Sequence, residues 1–545
     1  MKPGRSPLGP YRNRRRHLPA GVFWFLVATI LAGQAAVSAG EDTEVDGQTI
    51  VSIIFERYNI FDTSNPKTSK WPYRWANAVH IKSREQFLRS MLLFREGDVF
   101  TSADAAESAR LLRSLGIMNP VEITARKVEG GVEVVVETHD QWSLQVGADA
   151  GLSGNRGRFG FQLQEENLLG WGKYVNIGYD TDVERDTWSF RYQDPNLFRT
   201  RWVAEIGYQI RTDGFFKDIR LGRPFFSLET PRAWGGRWES EEIIEHLYAA
   251  SESVVQGQRK NELLRGWYGL KVGGGGGATR RVFAGWVAQK VEYGDWRWID
   301  TGVPYPTTPQ DLDISGPRID FEQIADNYEV LHGFRSWSSQ EDVGLGPNFR
   351  VGATISGPAV GGDINRVLFD GVFNIARHSG RWLLMGDAWF SGRFDQSEPQ
   401  DIIVGAQFAA SQIGERGFQF RLLADTSYRL EVDRQLTLGA DIGLRGWDPD
   451  YFDGTGRALV NAQWRTIMFR DVLHLFSVGA VIFADAGKTW DARFGHDTGG
   501  IRADAGVGLL FDLSRLSTSN VLRLEIAWPD DGGPYVLSIS GGALF

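Results

Sequence analysis

Residues 202–211 read Trp202-Val203-Ala204-Glu205-Ile206-Gly207-Tyr208-Gln209-Ile210-Arg211. Apolar side chains alternate here with polar residues and glycine, so an extended chain would have one apolar face and one polar face. A helix would instead repeat its apolar residues every three or four positions. The stretch therefore predicts a β-strand that separates two different environments.

The same alternation begins at Trp142 and continues to the end of the chain, for example at residues 159–164, 188–192 and 522–528. Soluble sandwiches also alternate, but the many charges on the polar faces and the aromatic residues near strand ends favour a membrane barrel. In lipid a sheet must close on itself, because backbone groups at an edge cannot be hydrated there. About 25 residues per strand and loop predict an all-β transmembrane barrel of roughly 16 antiparallel strands over residues 142–545.

Residues 47–141 show a different pattern, typical of a small α+β domain. A β-rich run at 50–55 is followed by a polar insertion from Asp62 to about His80. Capping-box spacing at 83–86 predicts one helix, and a cap at Thr101 or Ser102 predicts a second. Two strands, at 121–128 and 132–136, then flank a Gly-Gly turn. The predicted order is β-α-α-β-β.

The first 39 residues have the pattern of a secretory signal peptide. An apolar run at 21–32 and small residues at 37–39 follow six basic residues, Lys2, Arg5, Arg12, Arg14, Arg15 and Arg16. A retained membrane anchor is the alternative, but the apolar run is short for one. We therefore expect export.

Composition excludes several classes of function. The chain has no Cys, which rules out disulfides, thiolate metal sites and cysteine nucleophiles. Its formal net charge is −9 and becomes more negative without the signal, which disfavours nucleic-acid binding. The histidines are scattered, no G-x-S-x-G elbow appears, and the glycine run at 273–277 lacks the Lys-Ser/Thr of a phosphate loop. We therefore expect no enzyme activity, no catalytic or metal-binding residue, and no cofactor.

Residues 441–448 carry the candidate site. They are predicted to end an alternating strand that begins near Leu436, and they contain a glycine-flanked arginine in the sequence Gly443-Leu444-Arg445-Gly446-Trp447. Glycines let a loop fold sharply against a wall, and arginine supplies five fixed donors. In the predicted strand at residues 476–490, successive side chains point to opposite faces, and this alternation predicts that Phe483, Asp485 and Gly487 face the lumen. An inward carboxylate and an arginine on a foldable loop predict a pair, although an ordinary turn with a solvated arginine fits the loop equally well by itself.

The last strand alternates Tyr535, Leu537 and Ile539 and ends on Phe545. A terminal aromatic residue on such a strand resembles the signal by which outer-membrane barrels are recognised for insertion. With these residues, the chain resembles the POTRA-plus-barrel outer-membrane superfamily, the BamA/TamA-like bacterial surface antigen family. The segments 166–170 and 194–198 are similar to that family's early barrel strands.

The resemblance implies a POTRA-like periplasmic domain at 47–141, with the barrel in the bacterial outer membrane. It also implies that Arg445 enters the barrel and pairs with Asp485, and that the first and last strands, at 142–151 and 535–545, meet at a seam that opens. The implied partners are outer-membrane lipid, unfolded β-rich or secreted protein substrates, and periplasmic accessory proteins that bind the POTRA-like domain. Assembly factors of the family usually carry several POTRA domains, whereas only one is found here.

The leading hypothesis is assistance with protein insertion or translocation at the outer membrane. A dedicated two-partner-type secretion transporter is the first alternative, although residues 40–48 are too short for the plug helix that such transporters carry. A passive outer-membrane channel is the second.

Overall fold

The computed structural model describes residues 45–153, 156–182, 184–275, 277–513, 515 and 521–541. The signal-peptide prediction for residues 1–39 and the terminal Phe545 lie outside these ranges. The described chain has two parts, a small α+β module and a large antiparallel sheet. Within it, no helix is both long and apolar enough to cross a membrane.

The module contains three strands and three helices: β1 (Ile50–Tyr58), α1 (Trp71–Val79), α2 (Glu85–Met91), α3 (Ser102–Ser114), β2 (Met118–Val128) and β3 (Gly131–Asp140). The central strand β3 pairs in parallel with β1 and antiparallel with β2. Alternate valines of β3 are fully buried, and they share one apolar core with α2 and α3. This core is the face that the two amphipathic helices must cover.

Two local predictions for the module need correction. The polar insertion contains a helix, α1, so the order is β-α-α-α-β-β. The predicted cap at Ser83 is wrong, because α2 begins at Glu85 and Arg84 occupies the N-cap position. Ser83 is used elsewhere: its backbone N–H donates to Asp140 at 2.6 Å, and its hydroxyl accepts from Asn167 at 3.0 Å. By contrast, the Thr101 side chain does cap α3.

The large sheet is a closed barrel in which the last strand lies beside the first. Its strands are β4 (Leu144–Ser153), β5 (Arg156–Glu165), β6 (Tyr174–Thr181), β7 (Asp186–Leu197), β8 (Trp202–Arg211), β9 (Gly214–Arg223), β10 (Arg232–Ala249), β11 (Glu252–Gly274), β12 (Ala278–Trp298), β13 (Leu312–Ala325), β14 (Asn327–His332), β15 (Gln340–Ser356), β16 (Arg366–Ser379), β17 (Trp382–Asp395), β18 (Glu398–Gln412), β19 (Arg416–Tyr428), β22 (Gly456–Val472), β23 (Phe476–Trp490), β24 (Arg502–Asp512), β25 (Val521–Pro529) and β26 (Val536–Gly541). Two short strands, β20 (Leu436–Leu438) and β21 (Phe452–Gly454), pair with each other between β19 and β22.

The mostly-β class and the antiparallel pairing are confirmed, but the prediction of about 16 strands is too low. The described sheet contains 21 strand segments. Segments β13 and β14 both pair with β15, so they form one interrupted strand. The barrel therefore has 20 strands. The estimate failed because many connections are shorter than assumed. Those at 212–213, 250–251, 380–381 and 396–397 have only two residues.

The two faces of the sheet have opposite character. Large apolar side chains point outward and are exposed, among them Phe159, Phe161, Ile206, Tyr208, Ile210 and Val507. Polar side chains point inward and are buried, among them Asn176, Asp218, Asp320, Gln419, Asn461 and Asp485. This apolar outside and polar inside is the arrangement that a lipid environment requires of a barrel.

Chain direction distinguishes the two ends of the barrel. The module precedes β4, and every consecutive pair of strands is antiparallel. The connections at 166–173, 198–201, 333–339 and 473–475 therefore lie at the module end. The longer connections at 299–311, 429–455 and 491–501 lie at the opposite end, which we call the far end.

Candidate functional site

The connection at 429–455, here the inserted loop, enters the barrel from the far end. Its regular part is only β20 and β21, so the alternating strand predicted from Leu436 to Ile442 is too long. From Gly439 the backbone turns instead, and the amides of Gly443 and Leu444 both donate to the Gly439 carbonyl, at 3.1 and 2.9 Å. Leu444 is fully buried in a cluster with Leu438, Leu423, Trp447, Phe452 and Leu459. The tip of the loop is thus packed against the inner wall.

Arg445 lies at this tip and contacts Asp485 of β23. Its Nε donates to Oδ2 at 2.8 Å and its Nη2 to Oδ1 at 2.9 Å, a bidentate pair. The guanidinium also lies 3.5 Å from the centre of the Phe483 ring. Both charged side chains are shielded, with 5% of the arginine and none of the aspartate exposed. The structure therefore brings together the arginine, the carboxylate and the aromatic ring that the sequence singled out.

Glycines make this close approach possible. A Cβ on Gly446 would lie 2.5 Å from the Cβ of Asp504, and Gly443 has a φ of +119°. On the opposing strand, a Cβ on Gly487 would lie 2.7 Å from Leu438 Cδ2. A side chain at Gly446 or Gly487 would therefore force the loop away from the wall.

The sequence did not indicate the other residues that hold the loop. Arg445 Nη1 donates to Glu525 and to Gln463, each at 3.2 Å, and the Gly446 amide donates to Asp504 at 2.8 Å. Asn461 donates to both the Gly443 carbonyl and Asp485. These inward polar residues come from β22 to β25, where many others alternate inward as well. The sequence indicated only that these side chains alternate toward the inside of the barrel, a property that many other residues share.

A second segment binds the inner wall at the module end of the lumen. The connection at 333–339, here the module-end turn, joins β14 to β15 and reaches across to β22 and β24. The carboxylate of Asp512 accepts from the hydroxyls of Ser336 and Ser338 and from the Trp337 amide, at 2.7–3.1 Å. The Arg465 guanidinium donates to the carbonyls of residues 333, 334 and 335. Both charged side chains are buried, so the turn is held by one cation and one anion.

A cavity of about 390 Å³ lies beside the inner wall formed by β15 to β19. Its lining includes Arg335 of the module-end turn and Arg421 of β19, which donates to the Ile442 carbonyl of the inserted loop. Within the described ranges, no cluster of three or more His, Asp or Glu side chains is arranged to hold a metal ion.

The two early segments at 166–170 and 194–198 form the contact between the barrel and the module. Asn167 donates to Ser83, and the Gly170 carbonyl accepts from the Arg84 amide at 2.9 Å. In the next turn, Asn196 donates to Ser90 at 2.5 Å. On the other side of the module, Arg113 forms a bidentate pair with Asp342 at 2.6 and 2.7 Å. Asn119 and Gln340 exchange two hydrogen bonds beside it.

Of the predicted C-terminal signal, Leu537 and Ile539 lie on β26 opposite Ile526 and Leu524, on the outward face. Tyr535 immediately precedes the strand and is exposed. Their role in insertion stays a prediction.

Comparison with known proteins adds a sequence relative. The outer membrane protein assembly factor BamA of Neorickettsia risticii is 23% identical over 204 residues, which make up 32% of this chain. The match spans about a quarter (27%) of the relative's length. No family model matches the chain. The predicted resemblance to BamA/TamA-like outer-membrane proteins is thereby confirmed.

Solved structures also align over most of the chain. CdiB from Escherichia coli covers 93% of this chain and 92% of its own at 12% identity, with a TM-score of 0.44. BamA from Haemophilus ducreyi lacking POTRA domains 1–3 covers 90% and 84% at 13% identity, with a TM-score of 0.37. Since both TM-scores are below 0.5, the description of the fold rests on the strand topology itself.

Proposed function

We propose that this chain is an outer-membrane barrel protein that assists the insertion or translocation of other proteins through a lateral seam between β4 and β26. The module is then a POTRA-like domain in the periplasm, and the far end faces the outside of the cell. The substrates are unfolded β-rich or secreted proteins. The name of the matched relative, an assembly factor, agrees with this role.

The observation that carries the proposal is the position of the two lumenal segments. The inserted loop and the module-end turn both bind the inner wall formed by β22 to β25. These strands lie immediately beside the junction of β26 and β4. Segments that occupy the lumen near both of its ends disfavour a passive channel. The remaining route for a polypeptide is through the adjacent wall, at the junction of β26 and β4.

The chemistry of the junction supports the same route. Glycines stand on both sides, Gly147 and Gly151 in β4 and Gly541 in β26, and glycine weakens a strand interior because it packs little. When two strands separate, their backbone groups become free to pair with an incoming strand. A substrate rich in β-strands is the ligand that such edges bind.

A disulfide across the seam tests this proposal in a chain without native cysteines. Cysteine pairs that scan residues 144–147 against 536–541 should abolish substrate insertion or export when oxidised, and a reductant should restore it. The measurement is the yield of folded or exported substrate in reconstituted membranes.

The control is a disulfide in the middle of the sheet. Ala406 of β18 and Ala424 of β19 are direct partners, so Ala406→Cys with Ala424→Cys changes little volume. This lock should leave activity unchanged. Full activity with a completely oxidised seam would contradict the lateral route and favour the lumen, as in a dedicated secretion transporter.

A further inference from the structure

Helix α1 of the module presents an unpartnered apolar face. Trp71, Trp75, Ala78 and Val79 follow the i, i+4, i+7, i+8 spacing of one helical face, and all four are exposed. Trp71 is 70% exposed and Trp75 is 54% exposed. Two exposed tryptophans one turn apart are unusual on a surface that meets only water.

The opposite face fixes the helix in place. The Asn77 amide exchanges hydrogen bonds with the backbone of Phe61, at 2.7 and 3.1 Å. The Tyr73 ring packs against Phe61, and its hydroxyl donates to the Leu473 carbonyl at 2.9 Å. The tryptophans therefore point away from the module because the other side of α1 is already bound.

The contact with Leu473 places α1 at the module end of the barrel wall. Leu473 lies in the connection between β22 and β23 and is itself exposed. Just above it, the outward face of these strands carries Phe469 and Phe476, and the Phe476 ring contacts Phe511 of β24. The helix that carries the exposed tryptophans thus lies at the end of β22 and β23 where their outward face is apolar.

The charges around α1 have the sign that a bacterial membrane surface attracts. Residues 62–82 contain four basic residues and one acidic residue, although the whole chain has a net charge of −9. Among the described residues, no carboxylate forms an ion pair with Lys67, Lys70 or Arg74. Basic side chains that flank an apolar, tryptophan-bearing face are typical of helices that lie in the headgroup layer of anionic lipid.

We propose that α1 is an interfacial membrane helix that inserts Trp71 and Trp75 into the periplasmic leaflet beside β22–β24 and binds acidic phospholipid there. This inference rests on the proposed membrane location of the barrel. The insertion at 62–80 would then have a function as a membrane contact. It would also hold the module at a fixed distance from the bilayer.

Fluorescent labelling of single cysteines in the full chain tests the inference. Ala78→Cys places a probe on the apolar face and keeps both tryptophans. In nanodiscs that contain phosphatidylglycerol, an environment-sensitive label there should shift its emission to the blue and be quenched by a lipid-borne quencher. Adding Trp71→Ser and Trp75→Ser, or Lys67→Glu and Lys70→Glu, should reduce that quenching by about half or more.

Labels at two further positions distinguish failure of the membrane-helix proposal from failure of the proposed membrane location. Val51→Cys labels an exposed site of the module at the end of β1 that lies far from the junction with β4, and it should be quenched only by a water-soluble quencher. Ile206→Cys labels the outer face of the barrel and should be quenched by the lipid. Quenching at 206 with none at 78 would overturn the membrane helix alone. No quenching at either position would overturn the membrane location and the proposed function with it.

Discussion

At the scale of single residues, we predict that Arg445 is a main anchor of the inserted loop in the lumen. Removing one partner of a buried ion pair leaves an uncompensated charge and costs ~3–5 kcal/mol, less where water remains. We expect Arg445→Ala to release the loop to an external protease while the barrel keeps its heat-modifiable migration in gels. Gly446→Ala should act in the same direction, because the new methyl group would lie 2.5 Å from Asp504 Cβ.

The matched control is Arg429, which pairs with Glu398 at 2.8 Å in a largely exposed position. Arg429→Ala should have little effect on stability or on cleavage of the loop, because an exposed ion pair is screened by water. A double-mutant cycle of Arg445→Ala with Asp485→Asn should show strong coupling. Additive effects would mean that the two residues do not stabilise each other.

At the scale of elements, the module-end turn is held by the carboxylate of Asp512 together with the guanidinium of Arg465. Asp512 accepts three hydrogen-bond donors of the turn, so Asp512→Ala leaves all of them unpaired and should loosen residues 333–339. Arg335 lies in this turn and provides a trypsin site. We expect cleavage after Arg335 to become at least about tenfold faster, as measured by mass spectrometry of the fragments.

Asp531 is the control for this experiment, since among the described residues its carboxylate accepts only from Gly533, in its own turn at the far end. Asp531→Ala should leave cleavage at Arg335 unchanged. Equal protection of Arg335 in the Asp512 variant would show that Arg465 and the packing of Phe334 hold the turn without the carboxylate.

At the scale of the whole molecule, the apolar exterior and the terminal aromatic residue predict where the protein is found. The mature chain should fractionate with outer membranes and migrate faster in gels when it is not boiled. Deleting Phe545 should lower the inserted fraction, because the recognised end of the last strand is lost. Recovery of the intact chain in the soluble periplasm would contradict this prediction, and deletion of an exposed residue such as Gly495 controls for chain shortening.

The sequence was informative where a simple period applied. Alternation predicted the strands and which side of β23 bears Asp485, and glycines around Arg445 predicted a loop that folds sharply. It could not select Asp504, Glu525 and Asn461 among many inward polar residues, because their proximity to Arg445 depends on the register of four strands. The turn at 333–339 was missed for a similar reason. Its partners Arg465 and Asp512 lie more than a hundred residues away.

The Arg113–Asp342 pair has a mechanical consequence. Asp342 lies three residues beyond the turn at 333–339, so the module is attached to the strand that follows this turn. If a ligand displaces Arg113 from Asp342 and thereby shifts β15, it also acts on the segment held by Asp512. Such a ligand would then favour release of the turn by a certain coupling free energy. By thermodynamic linkage, release of the turn would strengthen the binding of the ligand by the same free energy.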